Sequence, residues 1–234
     1  HLTWPNNFTI QFIRSLFLFI STILFFYSIS IISLAEALTL AFISPMIVTL
    51  LSSLILKEKV GIRRWSAVIL GFIGALIVIR PGFNEVNLAT LCALGCGVSY
   101  AFYIISTRKL SNIDSPLLTL IFTGLTGALV ITLIVPFYWM WPSPTQWILL
   151  ISLAAVGTFA HLLLIISLNY AEASKLAPLS YFEIIMNVLI GYYFFGDFPN
   201  KWIWLGLFVI ILSGVYISFR ENVNNSKVIK NPVK

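Results

Sequence analysis

QFIRSLFLFISTILFFYSISIISLAEALTLAFISPMIVTLLSSLIL, residues 11–56, is apolar almost throughout. Drawn as a single α-helix at about 1.5 Å per residue it would be roughly 69 Å long, about twice the hydrocarbon core of a bilayer. The stretch therefore folds back once, and its acidic interruption, Glu36 within SLAEA (33–37), is the expected turn. This predicts spans at 11–32 and 37–56. Working outward, KEKVGIRR (57–64) closes the second span, and the third covers 65–80 and stops at Arg80-Pro81-Gly82. Five more follow at 87–107, 116–138, 146–170, 176–195 and 201–219. These segments are too long for barrel strands and lack period-two alternation. The expected fold class is an all-α polytopic membrane protein of about eight transmembrane helices.

Composition agrees: of 234 residues 59% are hydrophobic and 9% charged, and the mean hydropathy is +0.99. A soluble domain carries about a quarter charged residues, so a separate soluble domain is excluded. The formal charge of +6 would suggest nucleic acid in a soluble protein. Here it reports topology instead, so a lipid bilayer is the expected surrounding and no nucleic-acid partner is. If the N-terminal end is cytoplasmic and the spans alternate, the cytoplasmic side collects Arg14, Lys57, Lys59, Arg63, Arg64, Arg108, Lys109, Lys175, Arg220, Lys227, Lys230 and Lys234. Arg80 and Lys201 remain outside. That bias puts the protein in the cell (inner) membrane with both ends cytoplasmic. Trp139 and Trp141 fit an aromatic belt on the outer side. Residues 220–234, rich in Asn and Lys, read as a flexible basic cytoplasmic tail. Cys92 and Cys96, four apart on an apolar stretch, offer neither a disulfide framework nor a four-ligand metal site, so neither metal nor cofactor is expected.

An internal repeat is visible at an offset of 139, which places Glu58 on Asp197, Trp65 on Trp204 and Leu40 on Leu179. The second copy of each helix crosses the membrane in the opposite sense, the arrangement of an inverted repeat around a midplane site. FISPMIVTLLSSLILKEKVGIRRWSAVILGFIGALIVIRPG (42–82) and AEASKLAPLSYFEIIMNVLIGYYFFGDFP (171–199) resemble the EamA-type drug/metabolite transporter superfamily. Pro45, Glu58, Gly71 and Gly74 match its pattern in the first half, and Pro178, Asp197, Gly206 and Gly214 in the second. The resemblance implies ten helices as two inverted repeats of five. Residues 1–82 would then be three helices of the first repeat and 83–219 the complete second. Because the chain opens on His1, it reads as a bacterial member of the family lacking its first two helices.

Several residues could carry function. Glu183 lies about eight residues into the seventh span, where an acidic side chain costs roughly 2.5–3.5 kcal/mol on insertion scales. Ser180 and Asn187, at i−3 and i+4, share its helical face. That face suits a cationic substrate group or a proton, and the plainer alternative is a protonated glutamate tying helices together. His161, with Thr158 and Asn169 on its face, is a second candidate, more simply read as a packing residue. In the fourth span Ala89, Ala93, Gly97 and Ala101 form a small-residue packing stripe. Tyr100 and Tyr103 lie beside it and could line a cavity. Pro45 and Pro178 interrupt their helices and are candidate gate elements, as are Glu58 and Asp197 at helix junctions, either of which could equally be a solvated loop charge.

With no phosphate loop, catalytic triad or neighbouring carboxylate pair, an enzyme is not expected. The resemblance implies a secondary active transporter moving a small organic metabolite by alternating access. S-adenosylmethionine, riboflavin and an amino acid stay open as substrates, and a homodimer stays open as its assembly. The alternatives are a non-transporting membrane scaffold and, less favoured, a membrane enzyme. The topology predicts that single cysteines in loops 57–64 and 108–115, introduced after removal of Cys92 and Cys96, resist an impermeant thiol reagent on intact cells. Cysteines at 139–144 should react, and outside labelling of 57–64 overturns the assignment.

Overall fold

The computed structural model describes residues 4–32, 34–79, 87–195 and 201–230. Ten α-helices account for nearly all of this: α1 (Phe8–Ile29), α2 (Leu34–Ala41), α3 (Ser44–Leu54), α4 (Ile62–Ile79), α5 (Leu88–Leu110), α6 (Pro116–Ile134), α7 (Pro144–Tyr170), α8 (Ala173–Leu176), α9 (Phe182–Phe195) and α10 (Lys201–Lys230). Several starts are written locally. Asn7, Asn87, Ser115 and Ser143 each accept a hydrogen bond from the backbone three residues on, and Pro116 and Pro144 stand where a missing N–H costs nothing. Among the described residues six helical runs are long and apolar enough to cross a bilayer: Phe8–Ile29, Ala37–Leu54, Leu88–Leu110, Pro116–Phe137, Pro144–Tyr170 and Ala173–Phe194. The third and eighth expected spans correspond to α4 and α10, so eight helical segments stand in the expected order while six meet the criterion. The protein is an all-helical integral membrane protein.

Two expectations shift in detail. The first hairpin turns right after Ile29, and Glu36 falls inside α2 rather than at the bend. α10 runs on to Lys230, through most of the segment expected to be a separate tail.

Packing is inverted in polarity, as lipid requires. The buried residues of α1 are Gln11, Arg14, Ser15, Ser21 and Ser28, every one polar, while Phe12, Ile13, Ile20, Ile23 and Phe26 face outward. In hydrocarbon the apolar face is already solvated, and the polar face is the one that gains by pairing. Accordingly Ser28 donates to the Ala89 carbonyl (2.9 Å) and Ser21 to that of Cys96 (3.2 Å), which fixes α1 antiparallel to α5. The stripe Ala89, Ala93, Gly97 and Ala101 is buried, as expected. At Gly97 a Cβ would stand 2.7 Å from the Ala41 carbonyl, so only glycine lets α2 cross here.

Two spans are broken. α2 passes into α3 through a tightened turn at Phe42–Ile43, and α8 passes into α9 through a 3₁₀ turn at Ala177–Tyr181. Pro45 lies within the first two positions of α3, just after the first break, and Pro178 within the first two positions of the 3₁₀ turn that forms the second; each lacks the N–H that would carry the preceding helix onward. Phe42 and Tyr181 are 139 residues apart, and they touch: the Tyr181 hydroxyl donates to the Phe42 carbonyl at 3.2 Å, with ring centroids 5.9 Å apart. A second pair of contacts obeys the same offset. Ser213 donates to the Ala67 carbonyl (2.7 Å), and a Cβ at Gly74 would lie 3.1 Å from the Gly206 carbonyl oxygen. Adding 139 turns Ala67 into Gly206 and Gly74 into Ser213, so these are one contact made twice, as at a two-fold interface.

Tyr181 is fully buried and its ring lies against Gly71, where a Cβ would approach to 2.3 Å. The ring is pinned by its hydroxyl and cannot yield. Gly71→Ala should therefore cost about 1–3 kcal/mol, read as a lower melting temperature in detergent. Gly124→Ala, where a Cβ meets nothing within 4 Å, should cost nothing.

Candidate functional site

A cavity of about 360 Å³ opens between α1, α2 and α5, with one residue each from α3, α7 and α9. Its polar lining comprises Ser21, Thr22, Ser44, Tyr100, His161 and Glu183, among aromatic and aliphatic side chains that include Phe25 and Phe42. That volume lies within the range of about 300–1,000 Å³ that encloses small ligands.

The break in the seventh span decides what Glu183 is. Rather than sitting in the middle of an apolar helix, it occupies the first turn of α9, immediately after the 3₁₀ segment, and its side chain is exposed to the cavity. A carboxylate there meets the positive end of the α9 dipole and an open space, which removes much of the insertion cost expected of it. The same break separates it from Ser180, which lines a different crevice of about 20 Å³ beside Pro45 and Ala177. The shared face of Ser180 and Glu183 presumed an unbroken helix. The Asn187 side chain lies outside the described residues, as does all of Asp197.

His161 reaches the cavity wall from α7. Its Nδ1 is 3.3 Å from the Tyr103 hydroxyl, and the two rings meet edge to face with centroids 5.7 Å apart. Tyr103 is fully buried and stands behind the wall, whereas Tyr100, 5.7 Å from it, is part of the wall. Of the two tyrosines only Tyr100 is a lining residue, and Tyr103 is the link between the cavity and what lies beneath.

Beneath it is Arg14, which sequence reasoning counted as a basic residue at the membrane edge. It is fully buried. Its guanidinium donates to the Thr107 hydroxyl (3.1 Å), the Thr119 carbonyl (2.7 Å) and the Thr123 hydroxyl, and lies 5.1 Å from the centre of the Tyr103 ring. Among the described residues no carboxylate pairs with it, and its Nε has no hydrogen-bond partner. Gln11, one turn away, donates to the Thr119 hydroxyl (3.0 Å) and to Asp114 (2.9 Å). A readable signal existed: Arg14, Ser21 and Ser28 are spaced by seven, one face of a helix in an otherwise apolar run.

A second polar cluster closes the end of the bundle where α5 finishes. Lys57 takes a left-handed backbone (φ 55°), turning the chain so that Glu58 faces α8. The Glu58 carboxylate accepts from the amides of Ala173 and Ser174 (both 3.1 Å) and the Ser174 hydroxyl (2.7 Å), and pairs with Arg108 at 3.5 Å. Arg64 is bound to Glu172 (2.7 Å) and Ser174 (2.8 Å). Glu58 is thus a buried tie between two parts of the chain 115 residues apart rather than a solvated loop charge.

The comparisons with known proteins come to one answer. The profile of the EamA-like transporter family matches residues 2–80 and again 87–219. The chain belongs to that family. It is 34% identical over 191 residues to a riboflavin transporter of Vibrio cholerae serotype O1, covering 78% of this chain and 62% of that protein. It is 26% identical over 217 residues to an S-adenosylmethionine uptake transporter of Rickettsia prowazekii, covering 93% of this chain and 74% of that one. A solved crystal structure shares the fold at a TM-score of 0.77 and 19% identity, over 93% of this chain and 79% of its own. The chain thus spans less than two thirds of the Vibrio protein. These are the names of carriers, not of enzymes.

Asp114 supplies a pH-dependent test of the α1 attachment. Burial alone pushes its carboxyl up, but hydrogen bonds from the Asn6 amide, the Gln11 side chain and the Asn6 side chain outweigh burial and hold it below the usual carboxylate range. A depressed carboxyl contributes stability that is present above the unfolded value, about 3.9, and is lost as pH falls through the folded one. Asp114→Asn should therefore melt lower than the parent at pH 7, with the gap closing below about pH 4. A gap that persists unchanged into acid contradicts this.

Proposed function

We propose that the protein is a secondary carrier that binds a small organic metabolite in the cavity at Glu183, His161 and Tyr100, and passes it across the membrane by alternating access. The observation that carries this reading is the position of Glu183: an acidic side chain at the start of a helix that is broken in mid-span and opens onto a ligand-sized cavity. A scaffold gains nothing from an acid in such a place.

The doubled contacts at the 139-residue offset support reading residues 1–82 and 83–219 as parts of two inverted repeats. α4 and α10 run antiparallel where they meet, so a two-fold axis relating them lies across the helices, in the membrane plane. In this conformation the Glu58 cluster closes the end where α5 finishes, while the cavity is lined by the other halves of α1 and α5. With that end cytoplasmic, as the basic residues argue, the state is outward-facing, both ends of the chain lie in the cytoplasm of a cell with its carrier in the inner membrane, and Glu58 is the inner gate. Pro45 and Pro178, at the breaks, let the two halves of each span move as separate pieces. Tyr100 and the neighbouring phenylalanines suit a flat ring, and Glu183 suits a positive group. The names of the relatives make S-adenosylmethionine and riboflavin the first substrates to try.

Glu183→Gln keeps the shape and removes the charge. Reconstituted in proteoliposomes, the variant should insert and fold as the parent does, yet lose about tenfold or more of the uptake of labelled S-adenosylmethionine or riboflavin, whichever the parent carries, since one lost charged contact is worth about 1.5–3 kcal/mol. Near-parental uptake would remove Glu183 from the binding site, and no uptake of any small metabolite by the parent would sink the carrier reading.

A further inference from the structure

We propose that Arg14 is a positioning residue: its buried charge, acting through Tyr103, fixes His161 as a neutral imidazole protonated at Nε2, so that the cavity wall offers a hydrogen-bond donor there and selects substrates that present a carbonyl or carboxylate oxygen. This rests on the cavity being the substrate site and names the kind of group the substrate must carry.

The argument begins with charge. Arg14 is fully buried and its partners are two hydroxyls and a backbone carbonyl, which satisfy donors without neutralising the cation. Arginine does not shed its proton in a protein, so a fixed positive charge sits under the cavity. Its guanidinium is held at 5.1 Å from the Tyr103 ring centre, and the Tyr103 hydroxyl is the atom that meets His161. A second cation on His161 would then lie one ring away from the first in a region with little water, and like charges there disfavour each other.

The direction of the hydrogen bond follows. A cation drawing on the electron density of the ring makes the phenol a better donor and a poorer acceptor, so Tyr103 O–H donates and Nδ1 of His161 accepts. A neutral imidazole that accepts at one nitrogen carries its proton on the other. The remaining groups do not reverse this. Glu183 is the one acid among the cavity-lining residues, and no ion pair joins it to His161 or Arg14 among the described residues. Tyr100 and Cys96 on the wall are neutral, and Asp114 is taken up by Asn6 and Gln11. Glu183 is left as the cavity's titratable group, and His161 as its donor.

The chain contains two histidines, so replacing His1 leaves His161 as the sole imidazole and makes the claim directly visible. In the His1→Gln protein, labelled with ¹⁵N-histidine in detergent micelles at neutral pH, Nδ1 should show the shift of an unprotonated nitrogen and Nε2 that of a protonated one. Adding Arg14→Gln should move a substantial fraction to the imidazolium or to the Nδ1–H form. Arg14→Lys, which keeps the charge, should preserve the Nε2–H form, and Tyr103→Phe should leave a mixture of tautomers. An imidazolium or an Nδ1–H ring in the parent overturns the proposal, as does a spectrum unmoved by Arg14→Gln, or one altered by Arg14→Lys. If Arg14→Gln does not fold, an unchanged spectrum in Tyr103→Phe overturns it alone. Because the spectrum needs no transport, failure of the carrier reading and failure of this proposal are separate results.

Discussion

The rest of the fold is arranged around one carbonyl. Breaking a helix inside an apolar layer frees backbone groups that water cannot reach, and each one left unpaired costs several kcal/mol. At the α2–α3 break the Phe42 carbonyl is taken by the Tyr181 hydroxyl, a residue that itself closes the break between α8 and α9. The first interruption is thus tolerated because the second places Tyr181 beside it. Gly71 must be small so that the Tyr181 ring can lie where this bond requires, and the cavity opens beside the same junction, with Phe42 in its wall.

Once the two breaks are held, the polar chemistry follows from where broken ends point. Glu183 becomes the opening turn of a helix, and the amides at the start of α8 become partners for Glu58. Neither acid pays the full cost of a carboxylate in hydrocarbon: Glu183 has the N-terminus of its own helix and an open cavity, and Glu58 has amides, a hydroxyl and a cation supplied by elements far away in the chain. Arg14 is the exception, since its charge is hydrogen-bonded but not neutralised, and a cation kept at that cost is a reason to look for what it acts upon.

Much of this was legible beforehand, for reasons that can be stated residue by residue. The order of helices followed from apolar length and polar punctuation, because a bilayer imposes a length that short soluble helices do not obey. The stripe at Ala89, Ala93, Gly97 and Ala101 was readable because close helix contact in lipid is made by small residues at fixed spacing. Glu183, His161 and Tyr100 were found as polar or amphipathic residues out of place in apolar spans, and all three reach the cavity. What misled was the assumption of regular helix beyond Pro178: it joined Ser180 to Glu183, where a 3₁₀ turn running to Tyr181 sends them to different crevices. Arg14 was misread because it lies near the end of its span, where a cation ordinarily reaches water.

The sequence by itself determined the class of protein, the order of the helices, the packing stripe of α5 and, through Pro45 and Pro178, the two spans that are interrupted, since these depend on composition and spacing along the chain. Only the tertiary structure decided which polar groups meet. Glu58 could have paired with Arg63 or Arg64 nearby, and it pairs instead with Arg108 and the amides of α8. Arg14 could have faced water, and it lies under Tyr103 and His161. Hydrogen bonds and ion pairs act over a few ångströms between groups up to 139 residues apart, so their partners are set by how helices cross, and no pattern along the chain contains that information.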